Sequence, residues 1–414
     1  MSDKAEVTIV GAGIVGICCA LYLRREGYPV TLIDAEGPGE GASSGNAGLI
    51  ADGSCLPISL PGMAARVPAM LMDPLGPLTI RWGHLPRLAP WLARFLAAGG
   101  KDRVEAISAA MHALYRHALA DLEPLVKEAR AENLLRREGR LEVFRTEASF
   151  EKTAFTRELQ RRRGVDFEIL EAGAIRELEP ALAQPMAKGI RFPSQGHTTD
   201  PLALCRALAE HFEQKGGTIL RERVTGIEMG AGGPRAIETE GGRRPVALLV
   251  LAAGAFSRRL AARLGSRLPL DTERGYHVML PNPGIEVRRP LISGDHKFAI
   301  TPMDGGLRLA GTVELAGLTA PPNYARADRL VEAARNLFGE IDTRGATRWM
   351  GFRPSMPDSL PVIGRAPRHN NVFFAFGHGH LGLTGAGTTG RLIADLVAGR
   401  QPAIDLTPYR PERF

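Results

Sequence analysis

A single arginine sits in the run Gly351-Phe352-Arg353-Pro354-Ser355-Met356-Pro357-Asp358-Ser359-Leu360-Pro361-Val362-Ile363-Gly364, a proline-stiffened loop just ahead of a hydrophobic strand. A guanidinium fixed in this way is suited to gripping a carboxylate through paired N–H···O bonds. The competing reading is a surface arginine that merely pairs with Asp358. A second run, Gly11-Ala12-Gly13-Ile14-Val15-Gly16, suits a different anion. Its glycines let the backbone approach a pyrophosphate at a helix N-terminus, and Asp34, about twenty residues further on, can accept hydrogen bonds from ribose hydroxyls.

The elements that must position these residues are legible around them. Residues 6–10 form a short β-branched run of the kind found in a buried parallel strand, and it ends at the glycines. Apolar residues then recur at helical spacing through Leu23, Gly27 breaks the helix, and residues 29–33 give a second strand ending at Asp34 and Ala35. Strand, helix, strand and terminal acid in this order predict a dinucleotide site, without separating NAD from FAD.

Two further glycine-rich segments bear on that choice. The loop around Ser43, Ser44, Gly45, Asn46, Ala47 and Gly48 is small and polar enough to lie flat against a planar ring, though a plain linker would read the same way. Near the other end, Phe373 to Phe376 reads as a strand, followed by glycine-rich sequence and an amphipathic helix through Val397. That places a second helix N-terminus around Gly379, His380, Leu381, Gly382, Leu383 and Thr384. Its dipole would stabilise negative charge at the N1/C2 carbonyl edge of a reduced flavin.

Composition bounds the rest. At 414 residues the chain holds about two to three domains' worth of material. The excess of 52 Lys+Arg over 45 Asp+Glu, +7, suits an anionic substrate or cofactor or an acidic membrane surface. It is too diffuse for nucleic acid, because clusters such as residues 157–163 are short and poor in aromatics. Cys18, Cys19, Cys55 and Cys205 show neither CxxC spacing nor a secreted-domain framework, so a reducing compartment and no metal are expected. No secretion signal or membrane span is expected, because the apolar stretch 7–23 carries glycines at motif spacing. A cytoplasmic location follows, with attachment to the inner face of the cytoplasmic membrane left open.

Taken together, Gly11 to Gly16, Ser43 to Gly48, Ala252-Ala253-Gly254, Gly351 to Gly364 and Gly377 to Thr384 resemble the D-amino-acid oxidase superfamily of FAD-dependent amine oxidoreductases, most closely its bacterial D-amino-acid dehydrogenase branch. The resemblance implies an α/β fold: a discontinuous Rossmann-type FAD-binding domain (1–55, 198–268 and 350–414) and an α+β substrate domain on a mixed sheet (56–197 and 269–349). Val224, Ala253 and Gly254 would then meet the cofactor at strand ends. It implies that Arg353 binds the substrate carboxylate and that Tyr276 assists. His277 is a candidate base, and His380 stands where a small or hydroxylated residue is expected, whether lining the flavin pocket or bonded as a loop histidine. The reaction implied is oxidative deamination of a (D-)amino acid to the 2-oxo acid and ammonia, by hydride transfer from Cα to N5 of non-covalent FAD, with a quinone or respiratory acceptor. A glycine, sarcosine, hydroxyproline or other secondary-amine oxidoreductase, a 2-hydroxy-acid dehydrogenase and a flavin-binding partner subunit remain open alternatives. Residues 56–100 read as a packed helical excursion, with a lid or a peripheral membrane contact as the alternative.

Overall fold

The computed structural model describes residues 4–65 and 78–414. One sheet has six strands in the order Thr218–Arg221, Val30–Asp34, Val7–Val10, Leu248–Leu251, Val372–Phe376 and Val362–Arg365. All neighbours are parallel except the last pair. Parallel strands must be covered on both faces, which explains why Val7–Val10 is buried throughout. One face carries the helices Ile14–Arg25, Pro201–Gln214 and Gly382–Val397. The other carries the antiparallel meander of Val224–Gly230, Gly233–Thr239 and Gly242–Pro245, with the helix Ser257–Arg263. The helices Ile14–Arg25 and Gly382–Val397 touch backbone to backbone, since a Cβ at Gly390 would stand 2.7 Å from the carbonyl of Cys18.

The second large sheet runs Thr347–Ser355, Asp271–Leu280, Gly306–Leu315, Phe298–Met303, Leu291–Ser293, Arg140–Phe144, Lys188–Phe192 and Glu168–Glu171, with Leu78–Ile80 added beside Gly306–Leu315. It is mixed, because Leu291–Ser293 pairs parallel with Arg140–Phe144 while most neighbours are antiparallel. The helix Ala325–Phe338 covers one of its faces through Ala327, Leu330, Ala334 and Leu337. The other face looks toward residues 41–48. A small sheet of Leu49–Ile50, Gly196–Thr198 and Leu135–Arg136 ties the two units together.

The expected boundaries shift in two places. Thr347–Ser355 runs in the mixed sheet, so the return to the cofactor unit falls after Ser355 rather than at 350. The helices Lys101–Tyr115 and Ala118–Glu128 share a core with Ile14–Arg25, so part of 56–197 packs with the cofactor unit. Val224, expected at a strand end, instead opens a strand of the meander, while Thr218–Arg221 just before it joins the parallel sheet. Within 56–100, residues 66–77 lie outside those described. After them the helix Leu85–Ala98 buries Leu88, Trp91 and Phe95, and Trp91 Nε1 donates to the Ser355 carbonyl at 3.2 Å. Among the described residues no helix is long and apolar enough to cross a membrane.

The backbone contact at Gly390 gives a direct test of this packing. Gly390→Val should wedge the two helices apart and destabilise the protein by about 1–3 kcal/mol. Urea unfolding followed by circular dichroism measures it, and an unchanged midpoint would contradict the packing.

Candidate active site

The cofactor half is assembled at the carboxyl ends of the parallel strands. Val7–Val10 and Val372–Phe376 run in the same direction and each leads into a helix, so both helix N-termini open on the same edge of the sheet. Gly11 has φ +111°, and a Cβ there would lie 2.4 Å from Ala252 O, so only glycine lets this turn press against Ala252 and Ala253. A Cβ on Gly16 would overlap the Gly11 carbonyl, which is how the helix starts so close to the strand. Ser43 Oγ accepts from the Ile14 N–H at 3.0 Å, across Gly13 and next to Val15, which sets a hydroxyl at the helix N-terminus.

Asp34 ends its strand with one oxygen tying the glycine turn at Ala12 and the other ordering the turn that begins at Ala35. Oδ2 accepts from the Ala12 N–H at 2.8 Å, and Oδ1 accepts from Glu36 and Gly37 at 2.9 and 3.0 Å. A carboxylate has about four acceptor positions, so one remains for a ribose hydroxyl. Val224 begins its strand half-buried, close to the end of the neighbouring strand at Arg221, which pairs with Asp34. Gly254, at φ +53°, follows Ala253 in the turn after Leu248–Leu251. Gly377 and Gly379 both take positive φ ahead of the helix Gly382–Val397, capped at Leu381. Leu383 is buried in the first turn, and Thr384 Oγ1 accepts from the Ala51 N–H at 3.1 Å.

The second half is one face of the mixed sheet. Strand pairing sets Glu273 opposite Arg353, Gly275 opposite Gly351 and His277 opposite Trp349. The central glycines leave a floor without side chains, and their neighbours fold over it. A Cβ at Gly275 would overlap the Arg353 guanidinium, and one at Gly351 or Gly45 would overlap the Trp349 indole. Trp349 stacks on His277 with ring centroids 5.1 Å apart and planes 14° apart.

Arg353 is not held by Asp358, which pairs instead with Arg413 at 2.7 Å. Its Nη1 donates to Thr312 O at 2.9 Å and its Nη2 to Gly311 O at 3.4 Å. These carbonyls are presented by a bulge at Thr312, which adopts φ +56°, a costly conformation for a β-branched residue. The Thr312 hydroxyl is buried without a partner among the described residues. Burial lowers the Arg353 pKa while the nearby Glu273 charge opposes that shift. Glu273 is itself buried, which raises its pKa, and Oε1 accepts from the Ser355 hydroxyl at 2.6 Å.

The histidines divide by role. His277 Nδ1 lies 2.9 Å from Gly45 O, and because a carbonyl only accepts, Nδ1 carries the proton and Nε2 is left as an acceptor. Burial first, then the Arg308 charge, push this imidazole down to about 4. Gly379 N–H donates to Pro354 O at 2.7 Å, which brings the loop of His380 against the end of the arginine strand. Desolvation first and the Arg353 charge second push His380 down to about 4, although water reaches its ring. His378 is a structural histidine, buried and bonded through Nε2 to Thr389 Oγ1 at 2.9 Å.

Tyr276 is not brought to Arg353. Successive strand residues point to opposite faces, so between Gly275 and His277 it must face away. Its hydroxyl donates to Glu314 at 2.5 Å and accepts from the Asn323 N–H at 3.0 Å, and its ring meets Tyr324 edge-on behind the sheet. Residues not anticipated from sequence are Glu273, Arg308, Thr312 and Trp349. Alternation along residues 273–277 was the available signal, but only the register with the arginine strand selects the face.

The family model for DAO, FAD dependent oxidoreductase, matches residues 6–396. The chain belongs to the DAO family. Over 421 residues it is 41% identical to a D-amino-acid oxidase of Bradyrhizobium diazoefficiens, covering all of both chains. It is 33% identical to a D-amino acid dehydrogenase of Agrobacterium fabrum, covering 99% of each. Glycine oxidase from Geobacillus kaustophilus shares the fold, with a TM-score of 0.75 at 24% identity over 99% of this chain and all of that one. As a DAO-family member it is an FAD-dependent oxidoreductase, and the open N–H groups at the helix starts, the glycine contacts and the spare Asp34 acceptor fit that cofactor.

The buried histidines set a pH dependence. Above about pH 6.5 a histidine is neutral in the unfolded chain as well. As pH falls toward 4 the unfolded chain takes up protons that folded His277, at about 4, and His378, at about 3, do not, so stability drops. The urea midpoint should fall between about pH 7.5 and pH 5, and His277→Asn should reduce the fall. An undiminished pH dependence in the variant would contradict this assignment.

Proposed function

We propose that the protein oxidatively deaminates a D-amino acid to the 2-oxo acid and ammonia. The observation that carries this reading is Arg353, a guanidinium secured by two carbonyls over a glycine floor, with further N–H groups unspent. Those N–H groups grip the substrate carboxylate, and the unpartnered Thr312 hydroxyl adds a donor. The guanidinium lies over Gly275 and the Trp349 indole over Gly351, so the amino-acid Cα rests above these two side chains, with the indole as one wall. His277 Nε2, held neutral, accepts a hydrogen bond from the substrate amine, which must be neutral to react. His380, beside Arg353, lines the path to the second helix N-terminus.

Residues of the Gly11 to Gly16 turn, Asp34, the 43–48 loop, Ala253, Gly254 and the start of Gly382–Val397 hold FAD. The loop 43–48 contains no histidine or cysteine, so the attachment is non-covalent. Bound FAD supplies the acceptor for two electrons and the Cα hydrogen. Water then adds at the imino carbon, the C–N bond breaks and ammonia leaves. The D configuration is supported by the names of the two full-length relatives. A quinone or other respiratory carrier takes the electrons onward.

Anaerobic mixing with a panel of D- and L-amino acids, glycine, N-methyl amino acids and 2-hydroxy acids should bleach the flavin band fastest with a D-amino acid. Reoxidation by a soluble quinone rather than by dioxygen supports the acceptor. Bleaching only by L-amino acids, N-methyl amino acids or hydroxy acids would overturn the reading. Arg353→Ala should raise KM by about a hundredfold or more and lower kcat through misorientation, while Arg353→Lys recovers part. An unchanged kcat/KM in Arg353→Ala would remove the clamp.

A further inference from the structure

The carbonyls of residues 43–48 are all engaged, mostly by side chains. Ser43 O accepts from Asn46 Nδ2 at 2.7 Å. Ser44 O and Asn46 O both accept from Arg308 Nη1, at 3.2 and 2.7 Å. Gly45 O is held by His277 Nδ1 at 2.9 Å and Ala47 O by Thr301 Oγ1 at 2.8 Å. Gly48 O accepts from the Thr198 N–H at 2.8 Å. His277, Thr301 and Arg308 stand on the strands Asp271–Leu280, Phe298–Met303 and Gly306–Leu315, so the mixed sheet grips a loop of the cofactor unit.

In a planar trans peptide the N–H points opposite to the C=O. Fixing the carbonyls of Ser44, Gly45 and Asn46 therefore turns the N–H groups of Gly45, Asn46 and Ala47 away from the donors that hold them. Among the described residues these N–H groups have no partner, whereas the Gly48 N–H is taken by Asn46 Oδ1 at 2.7 Å. Gly45 is buried and its two successors half-buried, so leaving these donors unmet costs stability unless a ligand accepts from them.

We infer that Arg308 is a positioning residue of the flavin site: by holding the Ser44 and Asn46 carbonyls it aims the Gly45 and Ala47 N–H groups at the electron-rich edge of the isoalloxazine ring. Arg308 is buried, and although burial pushes its pKa down to about 10 it is a cation at neutral pH. A cation on the carbonyl side polarises each peptide and strengthens its N–H as a donor. The same charge favours the more electron-rich, reduced ring. Thr301 differs, because the peptide it holds ends in the Gly48 N–H, which is already satisfied. The inference rests on FAD as cofactor and is independent of the substrate.

The test compares Arg308→Met, Arg308→Lys and Thr301→Val as holoproteins. FAD dissociation is read from recovery of free-flavin fluorescence, the flavin midpoint potential from dye equilibration, and folding from circular dichroism. Arg308→Met should raise the FAD dissociation constant by about tenfold or more and lower the potential, with partial recovery in Arg308→Lys. Thr301→Val should change the constant by less than about twofold. Should Arg308→Met not fold, Arg308→Lys carries the test, and affinity and potential equal to wild type in that variant would overturn the inference. Unchanged affinity and potential in a folded Arg308→Met would also overturn it, as would Thr301→Val losing as much FAD as Arg308→Met. Loss of activity toward D-amino acids alone has no bearing on it.

Discussion

The site depends on one pairing, the antiparallel register of Asp271–Leu280 with Thr347–Ser355. That register sets Gly275 against Gly351 and so opens a bare patch in an otherwise crowded sheet face. Arg353 and Trp349 can fold inward only because those positions lack a Cβ. A one-residue slip of Thr347–Ser355 would place Phe352 or Met350 against Gly275 on that face and send the guanidinium to the helical core behind the sheet. The bulge at Thr312 in the next strand then supplies the carbonyls that fix the guanidinium.

Burial gives the arrangement its electrostatic character. Arg353 has one buried carboxylate nearby, Glu273, and that carboxylate is also bonded to Ser355. His277, buried in the same sheet face, is held neutral, so it adds no competing positive charge when a carboxylate enters. In a site of low dielectric, N–H groups left unspent by the guanidinium are worth more to a ligand than they would be on the surface. The same logic applies to the 43–48 loop: the carbonyls of Ser44, Gly45, Asn46 and Ala47 are satisfied by side chains of the mixed sheet, while the N–H groups of Gly45, Asn46 and Ala47 have no partner among the described residues.

Much of this was legible in the chain because it is local. The glycine turn, its helix, the second strand and Asp34 lie within a few tens of residues, and their chemistry follows from backbone geometry alone. Arg353 could be singled out from its own proline-rich run, but its partners could not. Asp358, its neighbour in sequence, belongs to Arg413, while the groups that hold the arginine are carbonyls of a bulge on another strand. Tyr276 was misplaced for a related reason: alternation separates it from His277 but does not say which face meets the ligand. Glu273, Arg308 and Trp349 went unnoticed because ordinary residue types become site residues only through long-range pairing. The boundary at 350 failed likewise, since a strand of the mixed sheet runs directly into the cofactor unit.

The central claim is that Arg353 binds a carboxylate beside the flavin. It is tested most directly by titrating the oxidised holoprotein with an unreactive short carboxylate that lacks the amine and following the flavin's visible spectrum. The account predicts a saturable spectral change that is competitive with substrate and is lost in Arg353→Ala with FAD still bound. Equal affinity for the carboxylate in wild type and Arg353→Ala would contradict it.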